Sequence, residues 1–249
     1  MNIDKARCLL AELPEGAKVL DVGGGASPFP RANWVIDALR FEALGGGSHG
    51  NVHLALGDVP RRYSADTWVT WDLCSRQPWP FEDKQFDFAV CSHLLEDIRD
   101  PIWVCSELSR VAKAGYVESP SRIVEQSTGV ENPRHCGYYH HRWIINRVGD
   151  RLEFRMKPHC LNSFREAWVA RLRPWEQINP KYEIVTLDWQ GEIDATEVLE
   201  FSEERVIDEL RDFALASRGL ADLVVRRPMD GLTRLKRRLY YFRLSRGLR

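Results

Sequence analysis

The stretch Lys18-Val19-Leu20-Asp21-Val22-Gly23-Gly24-Gly25-Ala26-Ser27-Pro28 decides the fold. An apolar run ends in an acid and then in three glycines, the pattern of a buried strand that turns sharply beside a ligand. In an open parallel sheet, ligands sit beyond the carboxyl ends of the strands, and the first strand-to-helix turn approaches them most closely. A side chain at Gly23 or Gly25 would collide there. The dinucleotide spacing G-x-G-x-x-G, counted from Gly23, requires a third glycine at the position that Pro28 holds. A phosphate-binding loop requires a glycine-lysine pair followed by Ser or Thr, and none follows. Asp21 would also repel phosphate, whereas it suits a cation or an amine.

Other short apolar runs share the length and content of strands buried on both faces: 33–38, 67–71, 86–91 and 115–118. Between the last two, 101–113 begins at Pro101 and carries Ile102, Val104, Cys105, Leu108 and Val111, a helix with proline in its first turn. Residues 3–13 predict a short amphipathic helix ending near Pro14. Strands alternating with helices mean a parallel sheet with right-handed crossovers. Beyond residue 140, 142–147 and 151–157 predict a hairpin around Val148-Gly149-Asp150, 182–189 a further strand and 202–217 a helix.

Asp37 ends the second run, where a carboxylate can accept hydrogen bonds from both hydroxyls of a ribose. Asp72 ends the third, placed to accept from an adenine amine with Leu73 against the ring. Together these describe adenosine without phosphates, joined to a charged amino-acid part, which is S-adenosylmethionine. The pieces "VLDVGGG", "WVIDAL", "WDL", "PWPFEDKQFDFAVCSHLLEDIRDP" and "ELSRVAKAGYVESP" resemble, in order, the motifs of class I methyltransferases of the methyltransferase-11 type. The resemblance spans residues 16 to about 120. It implies an α/β, Rossmann-like fold with a mostly parallel seven-stranded sheet carrying one antiparallel strand. It also implies that Asp21, Gly23, Gly24 and Gly25 line the methionine part, that Asp37 binds ribose, and that Asp72 and Leu73 frame adenine. Two positions depart from the family pattern: Ser27 stands where a third glycine is usual, and Asp97 where a histidine is usual.

Methyl transfer is an in-line displacement at a sulfonium methyl, so a hydroxyl acceptor needs a base. His93, directly after the fourth strand, has the titration range for that work, and Glu96 is spaced to orient it. Glu118, at the end of the fifth strand, is expected to face the substrate. The segment containing His135, Cys136, Tyr138, Tyr139, His140 and His141 is the chain's most unusual composition. His135, Tyr139 and His140 suit a clamp on an anionic or sugar-like acceptor. No metal site is expected, because neighbouring side chains in extended backbone point to opposite faces, which parts His140 from His141.

The chain of 249 residues has a formal net charge of only −1, unevenly spread. Residues 226–249 hold nine Lys or Arg against Asp230 alone, a net +8, leaving −9 for residues 1–225. An acidic body argues against duplex nucleic acid, since phosphate neutralisation supplies most such affinity. Leu232, Leu235, Leu239 and Phe242 recur at helical spacing among those basic residues, a basic amphipathic helix suited either to peripheral contact with an anionic membrane or to packing on the body. The six cysteines show no metal or disulfide spacing, and no signal-peptide or membrane-spanning run is visible, which points to the cytoplasm. The expectation is therefore one methyltransferase domain over 1–225, with substrate-recognition insertions within about 120–200, and a basic tail over 226–249. Its activity would be methyl transfer to a small-molecule or saccharide acceptor, on oxygen. A cofactor-binding adapter without turnover is the alternative, and a nicotinamide-dependent oxidoreductase is disfavoured by Pro28 and by the lack of a Tyr-x-x-x-Lys pair.

Overall fold

The computed structural model describes residues 1–25, 27–44, 56 and 59–226; the basic tail read from the sequence, from Arg227 onward, lies outside them. The chain forms two compact units. The first contains Met1–Ser119, Arg147–Glu153 and Thr186–Thr196; the second contains Pro120–Asn146, Phe154–Val185 and the chain from Glu197. The segments 147–153 and 186–196 belong with the first unit, although the chain between them belongs with the second.

In the first unit, α1 (Ile3–Glu12) starts where the Asn2 side chain accepts from the backbone N–H groups of Asp4 and Lys5, at 3.0 and 3.1 Å. Four short strands follow: β1 (Val19–Val22), β2 (Trp34–Asp37), β3 (Trp68–Thr70) and β4 (Phe88–Ser92). Next, α2 (Pro101–Val111) is capped by Asp100, whose carboxylate accepts from Trp103 N at 3.0 Å, with proline in the first turn as the sequence requires. It leads into β5 (Ala114–Pro120). With β9 (Ile184–Gln190), these strands make one sheet in the order β3-β2-β1-β4-β5-β9. The pairings β3–β2, β2–β1, β1–β4 and β4–β5 are all parallel. Among the described residues this sheet has six strands, not the expected seven.

All four residues of β1 are buried, because strands flank it on both sides and the sheet is covered on both faces. Leu20 sits opposite Trp34 on one side and Ala89 on the other. The core beside it gathers Ala6, Leu9, Val19, Phe29, Val35, Trp68, Val90 and Tyr116. Strand order reverses at β1, whose neighbours are β2 and β4, so the carboxyl ends of β1 and β4 open on the crevice where such sheets take ligands.

The second unit begins with α3 (Arg122–Glu125), and the hairpin strands β6 (Trp143–Val148) and β7 (Arg151–Met156) enter it in part. These strands form a sheet in the order β10-β7-β6, with β10 at Asp194–Glu197, and β8 (Glu176–Ile178) pairs antiparallel with β11 (Val224–Arg226). The helix expected over 202–217 is α4 (Glu203–Arg218), capped by Ser202. Its Leu210 packs with Cys136, Ile144, Leu161 and Ala167. Arg122 donates to Glu209 at 2.7 Å and lies 4.1 Å from the Phe213 ring, which ties α3 to α4. No helix among the described residues is long and apolar enough to cross a membrane.

Candidate functional site

At the crevice above β1 and β4 lies a cavity of about 260 Å³, lined by Met1, Asp21, Gly23, Gly24, Gly25, Ser27, Phe29, Val90, Ser92 and His93. The glycine turn is required by space as much as by conformation. Gly23 has φ +71°, and a Cβ there would lie 2.6 Å from the Leu94 side chain; one on Gly24 would lie 2.8 Å from Pro28. Pro28 therefore does more than break the dinucleotide spacing: it packs behind the turn.

Asp21 is buried in the cavity lining, and Phe29 N donates to it at 2.5 Å. Burial pushes its carboxyl up to about 7, against the pull of that hydrogen bond. An entering ammonium or sulfonium would restore its charge. Asp37 accepts from Gly25 N at 2.8 Å and from Leu39 N at 2.7 Å, so it holds the glycine turn in place from the next strand. Asp72 and Leu73 do not line the cavity. Asp72 is half exposed, its carboxylate accepting from Arg99 at 2.7 Å and from Cys74 N at 3.0 Å, and the Arg99 hydrogen bond holds it below the ordinary carboxylate range. Leu73 is buried, and its carbonyl takes the Trp79 indole N–H.

His93, Glu96 and Glu118 come together. His93 stands in the left-handed region, φ +54°, with its backbone N–H on the Glu118 carbonyl at 2.9 Å. Its Nε2 lies 3.1 Å from Glu118 Oε1, and its Nδ1 lies 3.4 Å from Glu96 Oε1. Burial alone would lower its titration, but the two carboxylates reverse that and raise it to about 9. A carboxylate against each ring nitrogen favours the protonated form of the ring.

Glu118 is also placed differently from expectation. It is 0% exposed, and it accepts from Asn2 N, Ser92 Oγ, Tyr116 Oη and His93, with the Met1 amine at 3.4 Å. These donors outweigh burial and pull its carboxyl down to about 2. The carboxylate lies behind His93 and is not among the residues that line the cavity. Glu96 is likewise buried and takes Ser119 Oγ at 2.9 Å.

The histidine- and tyrosine-rich segment belongs to the second unit. Its anchor is Glu125, a fully buried acid that sequence reading missed because nothing in a four-residue helix advertises it. His141 Nδ1 lies 2.8 Å from Glu125, and Lys157 donates to it at 2.6 Å. Gly137 is needed there, since a Cβ would lie 2.4 Å from the carboxylate. Tyr139 and His140 are exposed and His135 is half-buried. The His140 and His141 rings lie 4.6 Å apart, centroid to centroid. The expected separation fails because the segment turns at 139–140, so the alternation of an extended chain does not apply. Sequence reading also missed Ser27, Phe29 and Ser92 as lining residues; Ser92 ends β4 just as Asp37 ends β2, and that position was a usable signal.

The doubly wound parallel sheet, with its site at the β1/β4 crevice, is a Rossmann-like α/β fold of the class I methyltransferase kind. The family model for the methyltransferase domain matches residues 50–117, a stretch that includes His93 and Glu96. Similar solved structures include an S-adenosylmethionine-dependent methyltransferase from Mesorhizobium loti (18% identity, 62% of this chain and 66% of that chain, TM-score 0.34). Another is a SAM-dependent methyltransferase from Thermotoga maritima (16% identity, 49% and 52%, TM-score 0.32). A third is Haemonchus contortus phosphoethanolamine N-methyltransferase 2 (19% identity, 47% and 28%, TM-score 0.33). The chain spans about half the length of the first structures it matches, 51% and 52%. A search of curated proteins gave no match.

The cavity fits S-adenosylmethionine, the cofactor that the domain family supports. Asp21 offers a carboxylate to a cation, and the buried Ser27 hydroxyl has no hydrogen-bond partner among the described residues.

Proposed function

We propose that this protein transfers the methyl group of S-adenosylmethionine to a small-molecule or saccharide acceptor. The observation that carries the reading is the buried Asp21 carboxylate beside the Gly23–Gly25 turn, at the switch point of a class I sheet. Bound there, the cofactor supplies a methyl group already activated on a sulfonium. The residues of the chain then bind and orient. Asp21 takes the ammonium group, the backbone of Gly23–Gly25 borders the amino-acid part, and Asp37, which holds the turn from behind the cavity lining, is the proposed partner of the ribose hydroxyls. Asp72 and Leu73, just beyond the end of β3 and outside the cavity lining, are the proposed adenine partners.

Acceptor choice belongs in this reading to the chain beyond residue 120, of which no described residue lines the cavity. Oxygen remains the acceptor atom in this proposal. The basic tail is proposed either for peripheral contact with anionic membranes or for packing on the body, and we place the protein in the cytoplasm. The test is calorimetric titration with S-adenosylhomocysteine, followed by methyl transfer from labelled cofactor into pools of small hydroxylated acceptors. Cofactor binding with no transfer to any pool would favour the adapter reading, and no binding would remove the cofactor assignment itself.

A further inference from the structure

In the second unit, the segment that leads into α4 leaves its apolar side chains in solvent. Phe201 is 91% exposed, more than any other large apolar side chain among the described residues, and Leu199 is 66% exposed. The Val198 N–H on the Phe154 carbonyl, at 2.9 Å, sets this segment beside the end of β7, where Met156 is 67% exposed. Acids surround the patch: Glu197, Glu200, Glu203 and Glu204 fall within eight residues. Glu200 is engaged by Ser202 N and Arg205. Glu197, Glu203 and Glu204 are exposed and form no ion pair with a described residue.

These carboxylates repel an anionic bilayer, so the patch is not a membrane wedge. Its complement is a cationic segment with an apolar face, which covers Phe201 and Leu199 while its charges meet the unpaired acids. The same chain supplies one. Residues 226–249 carry nine Lys or Arg against Asp230 alone, with Leu232, Leu235, Leu239 and Phe242 at helical spacing, and they continue from β11. The route back to the patch is at most the 16 residues of α4 and the eight from Arg218 to Arg226, about 50 Å in all. The 23 residues after Arg226 span up to about 75 Å when extended. We infer that Met156, Leu199 and Phe201, ringed by Glu197, Glu203 and Glu204, form the docking surface for the basic amphipathic segment 232–242 of the same chain. The inference commits the tail to packing on the body, and it stands whether or not the cavity binds S-adenosylmethionine. Once docked, the apolar face of the tail is covered, which holds the segment off anionic membranes.

Lys236 is the only lysine in 226–249, so a zero-length carbodiimide, which joins an amine to a carboxylate in contact with it, reads the docking directly. Mass spectrometry of the cross-linked full chain should find Lys236 joined to Glu197, Glu203 or Glu204. The comparison is the double variant Leu199→Ser, Phe201→Ser, at two exposed positions outside the core. It should lower that link about fivefold or more, while the link between Lys113 and Asp87, an ion pair at 2.8 Å in the first unit, stays unchanged as the control of folding. A mixture of isotope-labelled and unlabelled chain identifies the occupant: links within one chain support the inference, and links between chains overturn it in favour of a second copy. In flotation with phosphatidylcholine vesicles containing about one-third phosphatidylserine, the double variant should bind about fivefold more tightly than the wild type, because its tail is released. Lys236 joined to none of the three acids, a link that survives the double substitution, or vesicle binding that is equal or weaker in the variant overturns the inference.

Discussion

Replacing Glu118 by glutamine keeps the shape of the side chain and removes its charge, and the consequence can be worked through His93. In the folded chain His93 holds its proton to about pH 9, while its ordinary value is 6.5. Between these values the folded state binds a proton that the unfolded state has released, so stability falls as pH rises. The contribution is full below 6.5 and lost as pH passes 9. A shift of that size corresponds to about 3 kcal/mol at most, and because the side chain is 43% exposed, solvent screening reduces it to about 1–2 kcal/mol. Urea unfolding of the wild type should therefore show a fall of about 1–2 kcal/mol between pH 6.5 and 9 beyond that of His93→Asn, the control that removes the imidazole and leaves other titrations in place. In Glu118→Gln only Glu96 remains to hold the proton, and the excess fall should shrink to less than about half. At pH 7 the glutamine variant should also be less stable outright by about 3 kcal/mol, since Tyr116, Ser92, Asn2 and His93 lose a buried anion. Wild type and His93→Asn falling in parallel from pH 6.5 to 9 would refute the account of a locked imidazolium.

Two other outcomes follow from buried acids elsewhere. In the second unit, Glu125→Gln leaves His141 and Lys157 without their shared partner and should cost about 3–5 kcal/mol, visible as a lowered midpoint in thermal melts; a change under about 1 kcal/mol would show that Glu125 does not anchor the segment. Asp21 sits near 7 in the ligand-free chain, and an ammonium group favours its ionised form, so affinity for S-adenosylhomocysteine should rise as pH goes from 6 to 8, with proton release on binding. Calorimetry in buffers of different ionisation enthalpy measures that release, and Asp21→Asn should abolish it.

Much of the first unit was readable in the sequence because local signals there agree with the final packing. Pro101 opens α2, Asn2 caps α1, and the short apolar runs become strands buried from both faces. The glycine turn was readable for the same reason: Gly23 needs both its positive φ and its missing Cβ. The site chemistry was less so. His93 looks like a base on its own titration range, and only the fold brings Glu118, twenty-five positions later and across a strand pairing, to its ring. Glu118 likewise looks like a pocket acid until Asn2, from the start of the chain, is seen to cover it. Asp37 ends its strand as expected, but its nearest donors are Gly25 and Leu39, a contact that no spacing rule encodes. The pairing of Glu125 with His141 and Lys157 is similarly a product of tertiary structure, since those residues lie 16 and 32 positions away.

The central claim is that the cavity above β1 and β4 is built for an adenosyl sulfonium or its thioether product and not for a dinucleotide. Titrating the wild-type chain with S-adenosylhomocysteine and, separately, with NAD tests it most directly. The account predicts saturable one-to-one binding of S-adenosylhomocysteine and no heat of binding for NAD. NAD binding, or no binding of S-adenosylhomocysteine at millimolar concentration, would contradict it.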